Sequence, residues 1–448
     1  MSGKNDIFKP RPISGFLEWL PEVRLVEQRW LDQIRAAFEQ YGFCSIETPS
    51  VEEIDVLAAK GGDADKEIYG LRRLAAEPGE EDAQSGGGRL ALHYDLTVPM
   101  ARYVAQHFGD LVFPFKRYQI QRCWRGERPQ EGRLREFMQC DIDVIDTDEV
   151  SLHFDAEIPA MTLDVLSRLD VGPVRLHVNN RKILQGFYQG LGIDDVVHAI
   201  RIADKLDKIG HDGVIKGLVE ELGLASSVAS KCVELASIKT DDASFADEVR
   251  AFGIDNEMLE TGLEELTFVM LELSHLEKGT VVADMSIARG FDYYTGTVYE
   301  GKLVDYPDFP TVCAGGRYDN LVGSYSRQKL PGVGISIGFS RIFSKLVKEG
   351  RIEIGAKCPT DIMVACLPGS ARSELSTTSR RLRARGFKVE MYHEAKSLKA
   401  QMKYASRKGI PYVWFPANAE QVDHEVKDMI TGEQVSADIE TWVPTSAS

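Results

Sequence analysis

Five arginines fall within fourteen residues of this chain, at 122, 125, 128, 133 and 135, in the segment RCWRGERPQEGRLREFMQCDID. Guanidinium groups hold their charge and chelate phosphate oxygens through paired donors, so this composition suits a triphosphate or a nucleic-acid backbone. Taken alone, the arginines also fit a solvated basic loop. A second cluster, ARGFDYYTG at 288–296, sets an arginine beside a glycine. That pairing permits close approach to a phosphate and places charge where a reacting phosphorus becomes more negative. A third, CAGGRYD at 313–319, combines paired glycines, which leave room beside the backbone, with the hydroxyl of Tyr318.

The first cluster, with its R-x-E, its proline-bearing loop and its R-E-F, resembles motif 2 of class II aminoacyl-tRNA synthetases. The form ERPQ-x-GR-x-REF-x-Q is similar to the histidyl branch. The resemblance implies that Arg125 holds the α-phosphate of ATP, that Phe137 stacks on adenine, and that Glu127 belongs to the ATP site. It also implies that the loop 127–134 meets the acceptor end of tRNA through Arg128, Gln130 and Arg133. RGFDYYTG and AGGRYD resemble two signatures of histidyl-tRNA synthetases. They imply a catalytic Arg289, which stabilises charge as the histidine carboxylate attacks the α-phosphate, and histidine contacts from Arg289, Tyr293, Tyr294 and Tyr318. HYDLTVP at 93–99 is similar to the family segment in which an acid and a threonine take the ammonium group, here Asp95 and Thr97. Gln139 and Asp143 join them at the amino and imidazole ends. His93 stands where many relatives have arginine and receives no role. GVGISIGFSR at 332–341 resembles motif 3, whose arginine, Arg341, covers the other face of adenine and touches the γ-phosphate.

These residues need a scaffold. From Pro21, apolar residues at Val23, Val26, Trp30, Ile34, Phe38 and Tyr41 are spaced by three or four, which predicts a helix stopped by Gly42. The stretch FCSIETPS predicts a strand closed by Pro49; helix and strand together resemble motif 1, the dimer-forming element, and imply a homodimer. Residues 78–88, rich in Gly, Ser and acid, predict a flexible loop between strands in IYGL and RLALHYDLT. The reading divides the chain into a first catalytic part at 1–183, a helical insertion at 184–260, a second catalytic part at 261–352, and a C-terminal domain at 358–448. In the last, strands and helices alternate as in a compact α/β module. That module resembles the anticodon-binding domain of several class II enzymes. The implied fold is α/β in the α+β sense, an antiparallel catalytic sheet with flanking helices and a helical insertion.

A net charge of −16 argues against a nucleic-acid partner unless basic patches answer it locally. Arg380, Arg381, Arg383, Arg385 and Lys388 form one candidate patch, and Lys396, Lys399, Lys403, Arg407 and Lys408 another. The balance of 43% apolar and 27% charged residues is that of a folded protein. No apolar run suits a signal peptide or a membrane span, so a cytoplasmic protein without membrane contact is expected. Seven scattered cysteines, without a C-x-x-C pair, support neither a zinc site nor a disulfide framework and are read as small buried residues. The expected partners are L-histidine, ATP with its own magnesium, and tRNA(His), with no prosthetic group and no protein metal ligand. A rival reading is the synthetase-like regulatory subunit of ATP phosphoribosyltransferase. Such paralogues generally lack the C-terminal domain and carry degraded motifs, whereas both are intact here. Another class II enzyme, prolyl or threonyl, would lack the two histidyl signatures.

Overall fold

A computed structural model describes residues 9–58, 67–72, 89–287, 294–319, 323, 329–417 and 423–444. Arg289, Tyr293 and the segment 78–88 lie outside them. The chain groups into two compact units, Met1–Leu17 with Trp30–Arg351, and Glu18–Arg29 with Ile352–Ser448.

The predicted first helix is α1 (Pro21–Gln40). Val23, Val26, Ile34 and Phe38 of its apolar stripe are buried, and Gly42 follows it at φ 79°. The strand after it is shorter than its sequence suggests: β1 (Cys44–Ser45) pairs for two residues only. β2 (Val51–Glu53), α2 (Ile54–Leu57) and β3 (Leu90–Leu92) follow, with β2 and β3 forming a two-stranded ribbon. IYGL adds an isolated bridge, Gly70 to Ala91, in place of the expected strand. After α3 (Thr97–Gln106) come the two long strands β4 (Phe115–Trp124) and β5 (Glu136–Ile145), joined by the arginine loop, then α4 (Phe154–Arg168) and β6 (Val174–Asn180).

Helices dominate the next stretch: α5 (Arg181–Gly190), α6 (Val196–Ala203), α7 (Leu206–Leu222), α8 (Ser226–Ala236), a short β7 (Lys239–Thr240), α9 (Phe245–Arg250) and α10 (Glu257–Glu272). Asparagine caps explain two of the starts, since the side chains of Asn180 and Asn256 accept the N–H of Lys182 and Leu259. The chain returns to the sheet through β8 (Val281–Asp284), β9 (Thr297–Leu303), β10 (Cys313–Tyr318) and β11 (Gly332–Ile337), and closes with α11 (Phe339–Lys348). Among the described residues the large sheet has the order β1-β4-β5-β11-β10-β9-β6-β8-β7. It is antiparallel except where β1 meets β4 and β6 meets β8.

The second unit alternates as its sequence predicts: β12 (Ile362–Val364), α12 (Arg372–Ala384), β13 (Val389–Met391), α13 (Leu398–Lys408), β14 (Tyr412–Phe415), then the hairpin β15 (Glu425–Asp428) and β16 (Gln434–Ser436) turning at Thr431 and Gly432. Strand order is β13-β12-β14-β15-β16, the first three parallel. Val364, Leu375, Leu382, Ala405 and Trp414 lie at the core of this unit. Full burial of the valine and leucine side chains stabilises by about 1.5–3 kcal/mol each. No described helix is long and apolar enough to cross a membrane. Of the cysteines, Cys44 is exposed and Cys358 half-buried, which corrects the expectation that all are buried; none is disulfide-bonded.

Candidate active site

Side chains alternate along a strand, so Phe137, Gln139, Asp141 and Asp143 of β5 share a face. All four line one cavity of about 430 Å³. Across the sheet, β4 sets Arg117 opposite Asp143, Gln119 opposite Asp141 and Gln121 opposite Gln139. On the other side β11 sets Gly334 opposite Asp143 and Ser336 opposite Asp141. Rows of polar residues on adjacent strands thus meet on one face.

Of the paired glycines in AGGRYD, Gly315 lines the cavity, while Gly316, with Gly332 and Gly334 of β11, makes room for the site's own side chains. A Cβ on Gly316 would lie 2.9 Å from the Tyr294 ring, and one on Gly332 would lie 2.4 Å from the Tyr318 ring. One on Gly334 would lie 2.1 Å from Asp143 Oδ1. Tyr318 and Asp143 can therefore meet: the tyrosine hydroxyl donates to Asp143 Oδ1 at 3.0 Å. The other carboxylate oxygen pairs with Arg117 Nη2 at 2.5 Å, and the Arg117 side chain is 0% exposed.

Burial pushes the Asp143 carboxyl up to about 7 despite the opposing Arg117 charge. It pushes Asp95 and Asp141 each up to about 6. Asp95 stands two residues before α3, where Oδ1 accepts the N–H of Val98 at 3.1 Å. Its Oδ2 is buried without a hydrogen-bond partner, as are Gln139 Oε1 and Asp141 Oδ1. Thr97, the first residue of α3, lines the same cavity.

Cationic groups line it too. Arg125, at the end of β4, donates from Nε to the Tyr94 carbonyl at 3.1 Å, and its guanidinium lies 5.1 Å from the Phe137 ring centroid. Arg341 of α11 donates to the carbonyls of Gly132, at 2.7 Å, and Thr311, so it ties the arginine loop to the segment before β10. Burial, then the Arg125 charge, lowers the Arg341 pKa from its ordinary value. Glu127 lines the cavity and pairs with Arg133 at 3.3 Å. Arg128 and Gln130 are exposed and are not among its lining residues. Arg133 faces a neighbouring cavity of about 360 Å³, with His177 and Lys302.

The structure therefore brings Asp95, Thr97, Arg125, Glu127, Phe137, Gln139, Asp143, Tyr294, Tyr318 and Arg341 around one space. Sequence reasoning missed Arg117, Asp141 and Ser336. The signal for Arg117 was present, since Arg117, Gln119 and Gln121 form a polar period-two row in a strand otherwise apolar at Tyr118 and Ile120. His93 is a structural clip, its ring nitrogens 3.2 Å from the Pro49 carbonyl and 2.7 Å from that of Arg122. Chemically, buried acceptors stand near two guanidinium groups, an arrangement for an amine beside a phosphate chain. Among the described residues no group of three His, Cys, Asp or Glu side chains is placed to hold a metal ion.

In the second unit three arginines of the first basic stretch have partners within the unit, while Arg380, Arg381, Arg383 and Lys388 remain exposed. Arg383 donates to the Val389 carbonyl, Arg385 to those of Ile439 and Trp442, and Arg381 to Glu440. In the other stretch Lys396 pairs with Glu394 and Lys408 with Glu390. Lys399, Lys403 and Arg407 are exposed and follow one another at intervals of four, along one face of α13.

The family described as histidyl-tRNA synthetase matches residues 15–342, and the anticodon binding domain matches 361–445. A histidine–tRNA ligase of Thermobifida fusca is 56% identical over 436 residues, 97% of this chain and 98% of that protein. One of Micrococcus luteus is 45% identical, covering 96% of both. A crystal structure of histidyl-tRNA synthetase from Nostoc sp. PCC 7120 superposes with a TM-score of 0.84 at 35% identity, covering 96% of this chain and 97% of that one. A structure from Bacillus halodurans, described as an ATP phosphoribosyltransferase regulatory subunit/histidyl-tRNA synthetase, has a TM-score of 0.73 at 21% identity, a likeness of fold. With both domains matched and relatives this similar over nearly the full chain, the chain belongs to the histidyl-tRNA synthetase family.

Proposed function

We propose that the cavity activates L-histidine with ATP, giving histidyl-adenylate and pyrophosphate, and that the chain then transfers the histidyl group to the 3′-terminal adenosine of tRNA(His). The observation that carries this reading is the meeting, in one cavity, of buried acceptors and guanidinium groups in a chain of this family. Asp95, Thr97 and Gln139 take the ammonium group, and Asp143 and Tyr318 the imidazole, with Tyr293 and Tyr294 beside them. Because the Tyr318 proton is given to Asp143, the tyrosine oxygen faces the ring as an acceptor.

Arg125 holds the α-phosphate, Phe137 and Arg341 flank adenine, and Glu127 completes the ATP site. Magnesium arrives with ATP, bound through phosphate and water. A histidine carboxylate oxygen attacks the α-phosphorus and pyrophosphate leaves, while Arg289 and Arg125 stabilise the growing negative charge. The adenosine hydroxyl then attacks the histidyl carbonyl and AMP leaves with the electron pair. Arg128, Gln130 and Arg133 meet the acceptor end, residues 358–448 meet the anticodon, and the enzyme works as a cytoplasmic homodimer. The catalytic parts, 1–183 and 261–352, flank the helical insertion 184–260.

The test is charging. Full-length protein, magnesium ATP, labelled histidine and bacterial tRNA should give acid-precipitable label. No label, under conditions where a control synthetase charges the same tRNA, refutes the reading.

A further inference from the structure

Asp141 lies between Gln139 and Asp143 on the cavity face of β5, and no role for it follows from the motifs. It is 3% exposed, yet its Oδ1 has no hydrogen-bond partner. A buried unpartnered carboxylate oxygen is costly, so a native protein that keeps one in a cavity wall needs a donor to meet it. Two other buried acceptors in the same wall lack partners, Asp95 Oδ2 and Gln139 Oε1. Three orphaned acceptors match the three N–H donors of one primary ammonium group.

Charge points the same way. Asp95, Asp141 and Asp143 are all buried, and the buried guanidinium among them, Arg117, is paired with Asp143. Asp95 and Asp141 feel the charges of Arg125 and Arg117, but neither forms an ion pair among the described residues, which leaves them able to take a further cation. Burial raises the Asp141 pKa, and an incoming cation restores its charge.

Gln139 Nε2 donates to Ser336 Oγ at 2.7 Å, and Ser336 stands directly opposite Asp141 across the β5–β11 seam. Because Ser336 accepts from the amide nitrogen, Gln139 Oε1 rather than its NH₂ is left for the cavity.

We propose that Asp141 is a third ligand of the substrate's ammonium group and that, through Ser336, it orients Gln139 so that the wall presents acceptors only. This rests on the reading that the cavity takes histidine. The role is binding and positioning, since Asp141 holds the ammonium group and touches neither the reacting carboxylate oxygen nor the phosphorus.

The experiment is a calorimetric titration of full-length protein with histidine, with imidazole-propionate, which keeps the ring and carboxylate but lacks the ammonium, and with ATP. Asp141→Asn is predicted to weaken histidine about 10- to 100-fold, as for loss of a hydrogen bond to a charged group. Imidazole-propionate and ATP should stay within about twofold of wild type. Asp141→Ser, a smaller second variant, should show the same selectivity. Ser336→Ala should weaken histidine more than imidazole-propionate, by less than Asp141→Asn. Equal loss for histidine and its ammonium-free analogue, or unchanged histidine binding, overturns the ligand role. Unchanged histidine binding in Ser336→Ala overturns the orienting role. If wild-type protein binds ATP but not histidine, the underlying reading fails instead.

Discussion

Asp143 answers to opposing influences: burial favours its neutral form, while Arg117 and the Tyr318 hydroxyl favour its charge. Removing the hydroxyl isolates one of them. Tyr318→Phe deletes a hydrogen bond to a charged group, worth about 1.5–3 kcal/mol. The histidine KM should rise about tenfold or more with the ATP KM unchanged, and equal rises in both would contradict the placement. The carboxylates also predict a pH dependence. Asp95, Asp141 and Asp143 stand at about 6, 6 and 7, above the ordinary carboxylate value. Such groups keep their protons in the folded chain where the unfolded chain has released them. Their contribution to stability is therefore full below about pH 4 and lost as pH rises through about 6 to 7. Binding runs the other way, because the ionised carboxylates of Asp95 and Asp141 attract the ammonium. The histidine KM, corrected for titration of the substrate's own imidazole near about 6.5, should fall between about pH 6 and 8 at saturating ATP; a flat corrected profile would show that these groups do not meet the amine. The type of each motif residue was legible in the sequence, but the spending of its atoms was not. Nothing in RYD says that the tyrosine proton goes to Asp143, because that bond spans 175 residues.

Elements place those atoms, and the tightest constraint is the seam between β5 and β11. Any side chain at Gly334 would collide with Asp143 Oδ1 and with the Ile142 carbonyl, 2.5 Å from a Cβ. Gly334→Ala should cost about 1–3 kcal/mol through overpacking, seen as a lower urea midpoint, together with a raised histidine KM. Wild-type values for both would mean that the seam has slack. The elements themselves were readable where pattern is long: the three-and-four spacing of α1, and the alternation from β12 to β14. They were misread where pairing depends on a distant partner. FCSIETPS has the composition of a strand, yet β1 finds only Arg117 and Tyr118 of β4 to pair with. IYGL has a like composition, but the β2–β3 ribbon leaves it a single bridge at Ala91.

At the scale of the whole molecule, a chain of net charge −16 must meet a polyanion through local cation clusters. The sequence offered two such clusters, and their chemistry was alike on paper. Partners separate them in part, since Arg383 and Arg385 near the end of α12 donate to backbone carbonyls of their own unit, whereas the exposed Lys399, Lys403 and Arg407 of α13 form no ion pair among the described residues. Replacing these three by alanine should raise the tRNA KM and flatten its salt dependence, with histidine-dependent ATP–pyrophosphate exchange unchanged. An unaltered tRNA KM would move the contact elsewhere. The central claim, that one cavity activates histidine and no other amino acid, is tested most directly by ATP–pyrophosphate exchange with each of the twenty amino acids in turn. Histidine alone should support exchange; exchange with a different amino acid, or none with histidine, would contradict the account.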